Sequence, residues 1–159
     1  MSRSVLFVCL GNICRSPLAD GVFRKLAAEA GIGVFVDSAG TGDWHVGHPP
    51  DRRAEAEARR NGIDISGLRA RQVVRDDFFR FDYIVAMDSQ NLADLLALRP
   101  AGATARVSRL LDHAALGIED VPDPYYGGEE AFAETWRLVV AGSTGLLDQL
   151  TSANRATAE

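Results

Sequence analysis

Apolar residues in this chain form two kinds of run, and the two kinds alternate. Ser4 to Val8 is almost wholly apolar, as expected of a central strand covered on both faces. Leu18, Val22, Phe23, Leu26 and Ala30 then recur at helical spacing. Ser16 is suited to cap that helix, Pro17 to occupy its first position, and Gly31 to end it. Gly33 to Ser38 reads as a second strand. Ala39 to Pro50, rich in Gly and Pro, reads as a loop. Asp51 to Asn61 reads as a charged, Ala-rich helix ended by Gly62.

The alternation continues. Phe81 to Met87 reads as a third strand, and Asp88-Ser89 caps a helix to about Leu98. Ala105 to Leu110 is a short fourth strand, and Leu111 to Gly128 is mostly loop. Glu129 to Leu150 is a long closing helix with Phe132, Trp136, Val139, Val140, Leu146, Leu147 and Leu150 on its inner side, where Trp136 is read as packing. Strand–helix alternation implies right-handed crossovers and a three-layer α/β/α sandwich around a four-stranded parallel sheet, Rossmann-like or flavodoxin-like. A single domain over 1–151 is expected, followed by a flexible tail over 152–159. In such sheets the binding crevice lies at the carboxyl ends of the strands, where Cys9 falls.

Composition narrows the function. The chain has 159 residues, 47% hydrophobic and 25% charged, with a net charge of -5. That balance suits a soluble globular protein and argues against nucleic-acid binding through a general basic field. No apolar run reaches the roughly 20 residues of a membrane helix, and the short run near the N-terminus lacks the length of a signal peptide. The two cysteines, Cys9 and Cys14, do not make a stapled secreted framework. A cytoplasmic monomer with reduced thiols is expected. His45, His48 and His113 are scattered through loops, so neither a metal nor another cofactor is expected.

The chemistry lies between the first strand and the first helix. A loop of this shape wraps an oxyanion with backbone N–H groups and aims a helix N-terminus at it. Cys9 lies beneath that site, placed to attack phosphorus. The helix terminus and a nearby guanidinium favour the thiolate, which is the nucleophile. Arg15 offers a planar fork matching two phosphate oxygens and the equatorial charge of a phosphoryl transition state. Gly11 permits a tight turn, and Asn12 tolerates a left-handed backbone and can brace the loop with its amide. Ser16 can donate to the Cys9 sulfur. A Cys-x5-Arg spacing alone is a weak signal, and a buried cysteine is often only a small hydrophobe. A nucleotide-binding turn is the rival reading, but the Walker lysine and the Gly-x-Gly-x-x-Gly run are both absent.

Taken in order, CLGNICRSP, LADGVF, DSAGTGDWH, FDYIVAMD and DPYYGG resemble the low-molecular-weight protein-tyrosine phosphatases over nearly the whole chain. The resemblance implies metal-independent hydrolysis of protein phosphotyrosine and small aryl phosphates through a phosphocysteine on Cys9. It implies a phosphate loop of Leu10, Gly11, Asn12, Ile13, Cys14 and Arg15, with Arg15 stabilising the transition state. It makes Asp123 the general acid, and Asn12, Ser16 and Ser38 the brace of the loop. Cys14 resembles a redox partner that forms a reversible disulfide with Cys9, shielding it from overoxidation.

Local sequence alone reads Asp123, set between Pro122 and Pro124, as a turn residue; the resemblance reverses this, leaving Asp120 as the nearest competitor. Trp44, Tyr125 and Tyr126 are candidate aromatic walls for a phenyl ring. One departure stands out: many relatives carry a histidine before the Ala-Arg-Gln run, whereas this chain reads Leu68-Arg69-Ala70-Arg71-Gln72, so its brace is expected to differ. Three alternatives bear weighing. An arsenate reductase needs further cysteines, and none follows Cys14. Protein-arginine phosphatases resemble the chain but tend to carry threonine where Ile13 stands. A non-catalytic phosphotyrosine-binding module needs neither a thiolate nor an acid.

Overall fold

Val5, Leu6, Phe7 and Val8 have no exposed surface, the outcome an unbroken apolar strand demands. Their side chains alternate between two cores. Val5 and Phe7 join a cluster with Leu18, Phe23, Ala54, Phe132 and Leu146, in which Phe7 meets Phe23 edge-on at 5.5 Å. Leu6 and Val8 join another with Phe78, Ile84 and Leu95. Each such side chain contributes roughly 1.5–3 kcal/mol by leaving water.

The computed structural model describes residues 3–158, with side chains as far as residue 152. Strands β1 (Arg3–Cys9), β2 (Val34–Gly40), β3 (Tyr83–Ala86) and β4 (Arg106–Arg109) form one parallel sheet in the order β2-β1-β3-β4. Helices α1 (Arg15–Glu29), α2 (Arg52–Arg60) and α5 (Glu129–Ala158) cover one face; α3 (Asp77–Arg80) and α4 (Ser89–Leu98) cover the other. This is the expected three-layer α/β/α sandwich. The chain leaves β1 for β2 on one side and later returns to β3 on the other. The crevice of that reversal opens at the carboxyl ends of β1 and β3, beside Cys9 and Asp88.

Several expected details are corrected. Ser16 does not cap α1: the cap position is Cys14, no side chain caps it, and the Ser16 hydroxyl is engaged with the Cys9 sulfur instead. Pro17 is therefore third in the helix, where its missing N–H still falls among the unpaired donors of the first turn. Strands β3 and β4 are shorter than the apolar runs that announced them. Helix α3, a single turn, was not anticipated; the buried Asp77 anchors it by accepting from Arg71 Nη1 (3.0 Å) and Nη2 (3.1 Å). Leu110–His113 is a 3-10 turn rather than loop. Helix α5 passes the expected end at Leu150 and runs to Ala158. Of the tail expected over 152–159, the side chains from 153 onward and all of residue 159 lie outside the described residues.

Helix α5 crosses the 3-10 turn at Gly142 and Gly145. A methyl at Gly142 would strike Leu110, and one at Gly145 would overlap the carbonyl oxygen of His113. A backbone obstacle cannot rotate away, so Gly145→Ala is expected to cost about 3 kcal/mol in urea unfolding. Gly33→Ala, whose methyl meets nothing within 4 Å, is the control and is expected to change stability by less than about 0.5 kcal/mol.

Candidate active site

The loop from Leu10 to Cys14 lies against the edge of β2 because residue 40 is glycine. A Cβ there would stand 2.8 Å from the Leu10 carbonyl oxygen and 3.2 Å from the Asn12 nitrogen. The loop is tied down on that side by Thr41 N–H donating to the Cys9 carbonyl and Gly42 N–H to the Leu10 carbonyl, both at 2.9 Å. On the other side the Asp51 N–H donates to the Ile13 carbonyl at 2.8 Å.

Asn12 has φ 57°, the one left-handed non-glycine among the described residues. Its side chain holds it there. Nδ2 donates to Ser16 Oγ (2.8 Å) and Ser38 Oγ (3.0 Å), and Oδ1 accepts from the Arg71 N–H (3.0 Å). The resulting backbone directs its own N–H at Cys9 Sγ, 3.3 Å away, while Ser16 Oγ stands 3.0 Å from the same sulfur. Asn12, Ser16 and Ser38 are thus brought together beneath the loop, and no histidine takes part. Leu68, in the stretch where a histidine was expected by resemblance, packs against the core.

Arg15 is only 2% exposed, and Nη1 is fixed by the Asp88 carboxylate at 2.6 Å and the Val121 carbonyl at 2.9 Å. Nη2 stands 3.7 Å from Asp123 Oδ2. Burial works against the guanidinium's charge, but Cys9, Asp88 and Asp123 outweigh it and hold its pKa above the ordinary value. Asp88 also caps α4, accepting from the Asn91 N–H at 2.7 Å. Asp123 accepts from the Tyr125 N–H at 3.1 Å, so it does form the turn its neighbours suggested, with its other oxygen turned toward Arg15. Asp120 is occupied elsewhere, accepting from the Ser89 N–H (2.9 Å) and hydroxyl (2.8 Å).

A cavity of about 370 Å³ is lined by Cys9, Leu10, Gly11, Ile13, Cys14, Arg15, Trp44, Asp123, Tyr125 and Tyr126. All the residues expected as nucleophile, phosphate loop, acid or aromatic wall line it except Asn12, which is buried beneath the loop. Trp44 and Tyr126 are 66% and 97% exposed and stand at the mouth. Cys14 is a free, buried thiol; burial first, then Asp51, Cys9 and Asp123, push its pKa up against the opposing charge of Arg53. Among the described residues no three His, Cys, Asp or Glu side chains converge as metal ligands.

Three contributors escaped the sequence reading. Asp88 had been read only as a cap. His45 lines the cavity and packs on Gly11, and only its neighbour Trp44 hinted at it. Arg53 donates to the carbonyls of Gly127 (3.1 Å) and Tyr125 (2.9 Å), lies 5.6 Å from the Tyr125 ring and 4.8 Å from that of Phe132, and so fastens the loop after Asp123 to α2. In an Arg- and Glu-rich helix it looked like any solvated cation.

The pattern of the family described as low molecular weight phosphotyrosine protein phosphatase matches residues 4–156. A low molecular weight protein-tyrosine-phosphatase of Bacillus subtilis is 47% identical over 147 residues, covering 91% of this chain and 93% of the relative. The crystal structure of a protein tyrosine phosphatase from Entamoeba histolytica superposes with a TM-score of 0.91 at 35% identity, over 96% of this chain and 99% of that one. An arginine phosphatase of Drosophila superposes with a TM-score of 0.85 at 30% identity, over 92% and 96% of the two chains.

Asp51 joins the loop to α2: it caps the helix by accepting from the Arg53 N–H at 2.8 Å and pairs with the Arg53 guanidinium at 3.0 Å. Burial opposes its charge, but the bonds from Arg53 outweigh burial and hold the carboxyl below the usual carboxylate range. An acid with a depressed folded pKa contributes stability above its unfolded value, about 3.9, and loses it as pH falls through the folded value. Asp51→Ala is therefore expected to lose about 1 kcal/mol at pH 7. In urea titrations the gap from wild type should narrow steadily below about pH 4.

Proposed function

The chain belongs to the low molecular weight phosphotyrosine protein phosphatase family, and from that premise we propose that it dephosphorylates protein phosphotyrosine through a phosphocysteine on Cys9. The supporting observation is that Asp123, more than a hundred residues further along the chain, lines one cavity with Cys9 and Arg15 of the first loop. In the first step the Cys9 sulfur attacks phosphorus and the bond to the phenolic oxygen breaks. Asp123 donates its proton to that oxygen, and tyrosine leaves. In the second step Asp123, now a carboxylate, takes a proton from water as the water attacks phosphorus. The S–P bond breaks, and inorganic phosphate leaves.

Arg15 and the loop amides stabilise the oxygens that gather charge in both steps. With Nη1 held by Asp88 and Val121, the rest of the guanidinium fork is aimed before substrate arrives. Trp44, Tyr125 and Tyr126 supply the aromatic walls for a flat phenyl ring. Cys14 remains the redox partner in this reading, and a reducing cytoplasmic setting suits two free thiols in one loop. Phosphoarginine is the second substrate to consider, because the Drosophila relative is described as an arginine phosphatase. Ile13, which lines the cavity, brings no hydroxyl to orient water at a P–N bond, and phosphotyrosine is favoured.

Cys9→Ser is expected to abolish turnover of a phosphotyrosine peptide and of p-nitrophenyl phosphate while retaining inorganic vanadate, read by calorimetry. Turnover surviving in that variant would remove Cys9 from the chemistry. Asp123→Ala is expected to lower kcat by about 10²–10⁴ on phosphotyrosine and by less on aryl phosphates with better leaving groups. Wild-type activity of Asp123→Ala on phosphotyrosine would move the acid role to another residue, with Asp120 tested first. Phosphotyrosine and phosphoarginine peptides assayed side by side decide the substrate class.

A further inference from the structure

Across the ridge made by Leu10 and Trp44 lies a second hollow, of about 450 Å³, which the chemistry above does not use. Leu10 and Trp44 line both spaces, so the two form one continuous surface. Trp44 is held across the ridge because residue 42 is glycine: a Cβ there would overlap the indole ring. The hollow is lined by apolar Val73, Leu95 and Leu98, with Asp94 of α4 among them. Asp94 accepts from Gln90 Nε2 at 3.0 Å, and among the described residues it is in no salt bridge. An apolar trough carrying one uncompensated carboxylate fits a side chain with an aliphatic stem and a cationic head.

We propose that this hollow receives a lysine or arginine of the substrate chain lying a few positions from the phosphotyrosine. The stem would lie along Val73 and Leu98, the charged head would meet Asp94, and the indole face of Trp44 would add a cation–π contact. An extended chain advances about 3.3–3.6 Å per residue, so a few positions are enough to carry a side chain past the shared residues Leu10 and Trp44. The inference rests on the phosphotyrosine reading of the first cavity and adds a preference for a basic neighbour.

The test is kcat/KM on phosphotyrosine peptides that differ only in carrying lysine, norleucine or glutamate at each flanking position, for wild type and Asp94→Lys. At one position wild type should prefer lysine over glutamate by about fivefold, with norleucine between them, and Asp94→Lys should reverse the order. High salt should flatten the preference in both proteins. Because the readout is a ratio within each protein, a partly folded variant does not disturb it. A flat profile at every position, a lysine preference that Asp94→Lys leaves intact, or norleucine equalling lysine would each overturn the proposal. p-Nitrophenyl phosphate, assayed alongside, is too small to reach the hollow. If it is hydrolysed while the peptides show no preference, only the basic-neighbour inference fails. If neither it nor any peptide is hydrolysed, the phosphatase reading fails and takes this inference with it.

Discussion

The site depends on one residue held in a backbone conformation that most side chains refuse. Asn12 turns left-handed, and that turn sends its N–H back to the sulfur of Cys9. An asparagine meets this geometry at a cost of about 1–2 kcal/mol relative to a right-handed residue, which its own amide offsets through three hydrogen bonds. Those bonds reach α1 through Ser16, β2 through Ser38 and the strand-like segment at Arg71. The loop is therefore held by three separate parts of the fold and cannot relax without disturbing all of them. Gly40 completes the constraint by admitting the loop backbone where any Cβ would exclude it.

The charged groups follow a similar rule, in which one end of each is anchored and the other is left facing the cavity. Arg15 spends Nη1 on Asp88 and Val121 and turns Nη2 toward Asp123. Asp123 spends one oxygen on its own turn and leaves the other near the guanidinium. The Val121 N–H donates to the Met87 carbonyl at 2.9 Å, so the loop bearing Asp123 is stitched to the end of β3 at one point and clamped by Arg53 at another. A loop held at two points restricts where the Asp123 carboxyl stands relative to Arg15, as the proposed acid role would need.

Much of this was legible in the chain, and what was hidden has a common cause. The unbroken apolar run of β1, the glycine stops and the spaced apolar positions of α1 and α5 are local signals, and the architecture follows from them. Cys9, Gly11, Asn12 and Arg15 were legible because a strand, a tight turn and a helix start fall within a dozen residues. Ser16 carried two readings, a helix cap and a partner of the Cys9 sulfur, and only the second holds, because the helix already begins at Arg15 and Cys14 takes the cap position. Asp88 showed its capping role, a contact three residues away, and hid its bond to Arg15, seventy-three residues away. The clamp of Arg53 on residues 125 and 127 was invisible for the same reason. Helix α3 was missed because one turn carries too little periodicity to register.

The brace at Asn12 is built without a histidine. A primary amide has two N–H donors and a carbonyl oxygen with two acceptor lone pairs. In Asn12 both donors are taken, by Ser16 and Ser38, and the acceptor is engaged by the backbone of Arg71. Three of its four hydrogen-bonding positions are thus filled without an imidazole, and Leu68 contributes apolar contact to the core. Arg71 in turn is fixed through its guanidinium to Asp77 and to Asp37 at the edge of β2. The Asn12 carbonyl is supported here by the main-chain N–H of Arg71, a group that cannot titrate. Its position depends on ion pairs on the far side of the same residue, so the geometry at Cys9 is tied to the anchoring of α3 through Arg71.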